Sequence, residues 1–596
     1  MIKPAPSAMF KKAPLALAIP FIMAAQAQAL QFYNQGIEGS FDSQLSIGSS
    51  WRMQEQNQTL LTPGNNEDGN ANFKKNDAFS QIFKGSHDLQ VSYQNVGGFV
   101  RGKYWYDYAL KNNSVDHGHT PNGLSEDEKL DDSDFNDLAK FSGAQLLDAF
   151  VYGQFDVNDM ALDLRLGKQV VSWGESTFIL GGVNAINPVD VSAFRRPGAE
   201  IKEGLIPVNM AFASIGLTDN LSAEGFYQLE FQETVIPGCG TYFSINDYAP
   251  QGCEVALTAA GPLSRSADDK ARDDGQFGLA FRYLAEHLGD TEFGLYFMNI
   301  HSRTPLISGI KHNLSVQDQG QIQSDAIAQY TAAGGIPGFD SVQAFVGAKI
   351  GQARAADTQY FASYPEDIQL LGLSFATNAG PVALSGEISH KKDMPLQINA
   401  TQLISAALTG ASTSQELADA VNATAGGGVV QGYRLFDVSQ VQATTIAFLD
   451  RIAGASRVTF IGEVGFSHVH DLDESQDAIK FSRSGIYDPA SDAEFDNDGF
   501  VTQNSWGYRA RLMAEYSDVF SGINLKPVLA WSDDVKGFAP QPGGAFREGQ
   551  QSLGLTLKAD YLSMYNAEIS YTQYMGGDYS MVKDRDFASV SVGVQF

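Results

Sequence analysis

Two cysteines and nine histidines in 596 residues leave little material for a disulfide framework or a zinc site. Basic charge is scarce too: 40 Lys and Arg stand against 69 Asp and Glu, for a formal net charge of −29. No basic run exists to displace the counterions of a polyanion, which excludes nucleic-acid binding. Beyond residue 29 no run of 18 apolar residues occurs, so a helical membrane protein is excluded as well. Gly-x-Ser-x-Gly, His-Glu-x-x-His and phosphate-loop motifs are absent, so neither an enzyme nor a cofactor is expected. What the chain does have is 59 glycines, 38 phenylalanines and 23 tyrosines, a composition suited to a sheet with many turns.

The first segment is expected to be an export signal. Lys3, Lys11 and Lys12 form a positive region, Leu15 to Ala25 is a short apolar core, and Ala27-Gln28-Ala29 is a small-residue cleavage box. Residues 1–29 are therefore a signal peptide by this reading, too short in its apolar part to span a bilayer. A first strand within about ten residues of the cleavage point leaves no room for the plug domain of an energised transporter.

Period-two alternation then recurs along the chain. Ile37, Gly39, Phe41, Leu45, Ile47 and Trp51 share one face, with Glu38, Ser40, Asp42, Gln44 and Ser46 on the other. Trp506, Tyr508, Ala510, Leu512, Ala514 and Tyr516 oppose Arg509, Arg511 and Glu515 in the same way. A soluble sandwich also alternates, but connection lengths discriminate. Candidate strands at 36–53, 86–94, 98–110, 145–157, 160–173, 207–217, 221–232, 275–287, 291–304, 367–377, 381–392, 434–450, 457–470, 505–517, 522–534, 548–561, 565–575 and 585–596 are joined by tight turns and mostly long gaps in strict succession. Short inner turns and long outer loops are the habit of outer-membrane barrels. The expected fold is all-β: a transmembrane antiparallel up-and-down β-barrel of about 18 strands, with 16 as the alternative, filling 30–596 as one domain. Both termini would be periplasmic, and the acidic excess would lie mainly in the outer loops. The last strand ends on Phe596, a C-terminal aromatic of the kind read by the outer-membrane assembly machinery.

The face opposite the apolar stripe would line the lumen. Candidates there are Arg101, Lys103, Asp163, Arg165, Glu224, Arg282, Glu387, Glu463, Arg509, Arg511, Glu515, Lys558 and Glu568. They read either as cross-strand pairs that stiffen the wall or as a charged filter for solutes.

One gap stands out. Residues 174–206 hold Phe178-Ile179-Leu180 together, and an outer loop exposed to water has little reason to do so. The loop is expected to fold inward and narrow the barrel, carrying Trp173, Glu175, Phe178, Asp190, Arg195, Arg196, Glu200, Lys202 and Glu203. Arg195, Arg196 and Lys202 would meet lumen carboxylates or an anionic solute. In loop 233–274 Cys239 and Cys253 are expected to form a disulfide. Residues 401–422, within the insert 396–433, look helical. His468 and His470 beside Asp471 and Asp473, and a calcium-loop-like run from Glu494 to Gly499, are weak metal signals, and no metal is expected.

The stretch Gly167-Lys168-Gln169-Val170-Val171-Ser172-Trp173-Gly174-Glu175-Ser176, followed by Asn187-Pro188-Val189-Asp190 and Arg195-Arg196-Pro197-Gly198-Ala199-Glu200, resembles the domain-of-unknown-function 1302 family of Gram-negative bacteria. The resemblance runs over most of the chain and includes Tyr242-Phe243-Ser244. It implies an outer-membrane location among outer-membrane lipids, a periplasmic partner of lipoprotein-carrier fold with an exporter, and movement of hydrophobic compounds such as steroids, terpenes or lipids. It carries over no site residues. The leading expectation is a passive channel for a small hydrophobic or amphipathic solute, gated by the inward loop. The alternatives are a closed barrel that acts as a binding or assembly partner, and an outer-membrane hydrolase.

Overall fold

The computed structural model describes residues 30–118, 123–488 and 497–596. The signal segment and the first residues of the Glu494 run lie outside them. Eighteen antiparallel strands close on themselves, and a short extra strand, Leu30–Asn34, folds back on Ile37 to Phe41 of the first. In chain order they are β1 (Ile37–Arg52), β2 (Ala78–Tyr93), β3 (Val96–Asp107), β4 (Ser142–Val157), β5 (Met160–Gln169), β6 (Val208–Thr218), β7 (Leu221–Gln228), β8 (Phe277–Ala285), β9 (Thr291–Ile300), β10 (Ile368–Ala379), β11 (Val382–Gln397), β12 (Tyr433–Asp450), β13 (Arg457–Val469), β14 (Asn504–Phe520), β15 (Ile523–Lys536), β16 (Gln551–Tyr561), β17 (Tyr565–Met575) and β18 (Phe587–Gln595). The ring closes where Gln44 to Arg52 of β1 pairs with Gln595 to Phe587 of β18. Phe596 extends that seam, its N–H donating to the carbonyl of Ser43 at 2.8 Å. The count and order agree with the alternation, although β2 begins eight residues before the expected 86 and β5 stops at Gln169.

Strand β9 shows why the chain folds this way. Phe293, Leu295 and Phe297 are exposed on the outside, whereas Tyr296 and Met298, which alternate with them, are fully buried inside. Such an outer band is costly in water, at about 25 cal/mol per Å² of apolar surface, and stable in hydrocarbon. The result is an outer-membrane-type barrel. Tight turns join the strands at one end; between β4 and β5, Asn158 and Asp159 both adopt positive φ, which their short polar side chains tolerate. Both described chain ends lie at this end, since Ile37 pairs with Tyr93 beside the β2–β3 turn and β18 runs toward it.

At the opposite end the long loops build a cap. Residues Val255–Thr258, Gly261–Arg265, Leu306–Ile310, Gln359–Ser363 and Val429–Val430 form a five-stranded sheet. Helices α1 (Val316–Ala332) and α2 (Val342–Asp357) pack on each other, and α3 (Ala400–Thr409) and α4 (Gln415–Ala423) fill the segment read as helical. Cys239 and Cys253 are disulfide-bonded with Cα atoms 6.2 Å apart. Both α1 and α2 fall in the long gap between the strands expected at 291–304 and 367–377. Helix α1 buries only Ala326 and has no apolar stripe to announce it.

Candidate functional site

Residues 170–207 leave the end of β5, cross the lumen and return to β6. On the far wall, Glu463 of β13 accepts the N–H groups of Thr177 (2.9 Å), Phe178 (2.6 Å) and Ile179 (2.7 Å). Glu387 of β11 accepts those of Glu175 and Val183, and is itself held by the Gln442 amide at 2.8 Å. Gln440 donates to the Leu180 carbonyl and Lys391 to that of Gly181, each at 2.9 Å. The approach is so close that a Cβ on Gly182 would collide with Oε1 of Glu387, and Gly174, at φ 87°, faces its other oxygen.

Apolar packing fills the space behind this limb. Trp173, Val183 and Ile186 pack into one core with Phe226, Ala280, Tyr296, Met298 and Leu370 from strands β7 to β10. The Trp173 indole donates to Glu224 at 2.7 Å. Of the apolar triplet that suggested inward folding, Ile179 is buried, Phe178 half-buried and Leu180 exposed.

The returning limb docks on the near wall with its own carboxylates. Asp190 meets Lys103 at 3.0 Å, Glu203 meets Lys84 at 2.8 Å, and Glu200 accepts from Gln44. Burial works against the Glu200 carboxylate, but the Gln44 amide and Lys202 hold it below its ordinary range. The basic loop residues therefore have partners other than those expected. Arg195 stands 4.5 Å over the Phe243 ring and reaches the Tyr574 hydroxyl at 3.2 Å. Arg196 stands 4.5 Å over Trp105 and donates to the Leu138 carbonyl, with burial pulling its guanidinium below the usual value. Lys202 pairs with Glu200 of the same loop at 3.2 Å. The wall carboxylates beside the loop, Glu224, Glu387 and Glu463, are already bonded to the Trp173 indole, to loop backbone N–H groups or to a wall cation.

The remaining lumen candidates divide. Arg101 pairs with Asp88 (2.8 Å) and Asp148 (3.1 Å), Arg282 with Glu292 (3.0 Å) and Glu224 (3.5 Å), Lys558 with Glu568 (3.1 Å), and Arg509 with Asp534 (2.6 Å). These are the cross-strand and rim pairs of the stiffening reading. Arg165 lies against Phe212, while Asp163, Arg511 and Glu515 stand half-buried toward the short-turn end, away from the loop.

Above the crossing loop, under the cap, lies a chamber of about 390 Å³. Its wall is mainly apolar: Phe243, Ile307, Leu403, Ile404 and Phe546 are among residues drawn from loops between Asn66 and Met581. A second cavity of about 70 Å³ shares Arg195, Pro237 and Phe243 with it. A third of about 10 Å³, room for roughly one water, shares Trp105 and Arg196 with the second and is bounded by Lys84, Lys103 and Glu203. The three adjoin in a tapering series, with the stacked Arg196 and Trp105 between the second and the third.

His468 and His470 do not gather the neighbouring aspartates: His468 bonds Asn504 and His470 bonds Ser439, both at 2.9 Å. Among the described residues one group has ligand atoms close enough for a metal, Glu67, Asp68 and His117 in the outer loops, and none of the three lines the chamber. Sequence reading missed it, because His117 is some fifty positions from the acidic pair.

A family model described as "Protein of unknown function (DUF1302)" matches residues 11–596. No curated protein matches the sequence. Among solved structures, Acinetobacter baumannii OccAB1 is similar with a TM-score of 0.41 and 10% identity, over 96% of this chain and 99% of that one. Pseudomonas aeruginosa OccK2 (OpdF), solved with glucuronate, gives 0.39 and 10% over 94% and 97%. Salmonella typhi OmpF, solved with daunomycin, gives 0.33 and 10% over 95% and 100%.

Proposed function

The chain belongs to the DUF1302 family, and we propose that it is an outer-membrane channel, not an enzyme, which passes a small hydrophobic or amphipathic solute through a gate made by the 170–207 loop. The observation that carries this reading is the apolar chamber of about 390 Å³ placed above a loop that ties both walls together. A volume of this order suits one ligand of drug size, and an apolar wall rewards an apolar body. The outer apolar band and the long-loop cap support an outer-membrane setting with the short turns and both termini in the periplasm. The solute would enter the chamber, then pass the Arg196–Trp105 stack once the returning limb shifts. No nucleotide is needed for such passage.

The test is single-channel recording in a planar bilayer. Deleting residues 178–204 from the folded barrel is expected to enlarge conductance, and an unchanged conductance overturns the gate. The narrowness of the smallest cavity also favours the second reading, a closed barrel serving a periplasmic partner. That reading predicts silence in the bilayer even after the deletion, and co-purification of the partner.

A further inference from the structure

The chamber's charge is at odds with that of the chain. In a protein of net charge −29, none of the chamber-lining residues is Asp, Glu, Lys or His, yet three are arginines: Arg195, Arg483 and Arg547. Two of these are engaged. Arg483 is tied to Asp488 at 2.7 Å, and Arg195 to the Tyr574 hydroxyl and the Phe243 face. The guanidinium of Arg547, next to the buried Phe546, makes no hydrogen bond or ion pair among the described residues. A half-buried charge left without a partner against an apolar wall is unfavourable in the empty protein, and it gains most from an anion brought in by a ligand.

We infer that the chamber receives an amphipathic anion, an apolar body of fatty-acyl or fused-ring size carrying one carboxylate, with Arg547 as the group that accepts the head. The planar fork of Arg matches the two oxygens of a carboxylate, and apolar neighbours exclude the water that would otherwise screen the pair. Burial lowers the Arg547 guanidinium from its ordinary value, against Asp534 nearby, which is the mark of a cation short of counter-charge. A single head follows from a single unengaged arginine. The tapering route continues the same chemistry, passing Arg195, then Arg196, then Lys84 and Lys103.

This rests on the chamber being a binding site, and a matched pair of probes separates the two. Decanoate and decanol share an apolar chain and differ in the head; their binding to the full barrel in nanodiscs is measured by calorimetry against empty nanodiscs. Decanoate is expected to bind about tenfold tighter or more, the scale of a charge-assisted hydrogen bond. Arg547→Gln is expected to remove that margin, while Arg547→Lys, which keeps the charge and loses the fork, retains part of it. Equal affinity for the two probes in the native barrel overturns the anionic head and leaves the chamber standing. A margin that survives in a folded Arg547→Gln barrel overturns the assignment to Arg547. Binding of neither probe overturns the chamber itself.

Discussion

Between Glu175 and Val183 the crossing loop gives N–H groups and takes carboxylate oxygens from the wall, whereas between Asp190 and Glu203 it gives carboxylates and takes ammonium groups. The first limb's polar hold is made through its backbone, with Trp173, Ile179 and Val183 packing beside it. It depends on Glu387 and Glu463, more than 200 positions downstream, and on glycines that let the backbone come close. The second limb is held by side-chain ion pairs, each of which must offset the desolvation of two charges. A limb held through its backbone tolerates change at its exposed side chains, though not at Gly174 and Gly182, and fails when the wall changes. A limb held through ion pairs fails from either side, and responds to pH and salt.

The largest effect is expected at the wall of the first limb. Glu463→Leu leaves the N–H groups of Thr177, Phe178 and Ile179 without their acceptor, at about 1–3 kcal/mol for the buried Ile179 and less for half-buried Phe178 and exposed Thr177. Hydrogen exchange at Thr177, Phe178 and Ile179 should accelerate by about 100-fold or more while the amides of the ion-paired limb keep their protection. Equal loss in both limbs would show that the loop opens as one unit and that the contrast is only static.

The second limb should answer next to Lys103→Met. That change strands Asp190, which is 0% exposed, and breaking such a pair costs about 3 kcal/mol. Adding Asp190→Asn, which keeps the cap on Ala193 in neutral form, should recover much of the loss; a double variant no better than Lys103→Met would argue against the ion pair as the anchor. Exchange at 190–203 is the readout, with single-channel current beside it.

Much of the barrel was legible because alternation is a local signal: the inside and outside of β9 differ at adjacent residues, and no partner need be known to read them. The inward loop was legible for a related reason, since Phe178-Ile179-Leu180 is an apolar cluster in the wrong place for water. Its anchors were only half visible. Glu387 and Glu463 could be placed on the lumen face by period, but a carboxylate that binds backbone N–H groups leaves no matching residue type to find. The pairing expected for Arg195 and Arg196 came from charge alone and missed the aromatic faces of Phe243 and Trp105, which a loop-to-wall register would have been needed to foresee. Arg547 was invisible, because its meaning lies in which distant loops surround it.

The smallest effect is expected at Glu200, and it sharpens the comparison through pH. Its folded carboxyl titrates below the ordinary value, so its contribution is complete above the unfolded value and is lost as pH falls through the folded one. Glu200 and Lys202 are both partly open to solvent, which keeps the contribution below about 1 kcal/mol. Lowering the pH through the carboxylate range should therefore raise exchange at the amides around Glu200 slightly, and Glu200→Gln should remove that share of the acid response without altering exchange at Thr177 to Ile179. A variant that titrates like the native barrel would mean that the Gln44 and Lys202 contacts do not hold this limb, and that Asp190 and Glu203 carry it alone.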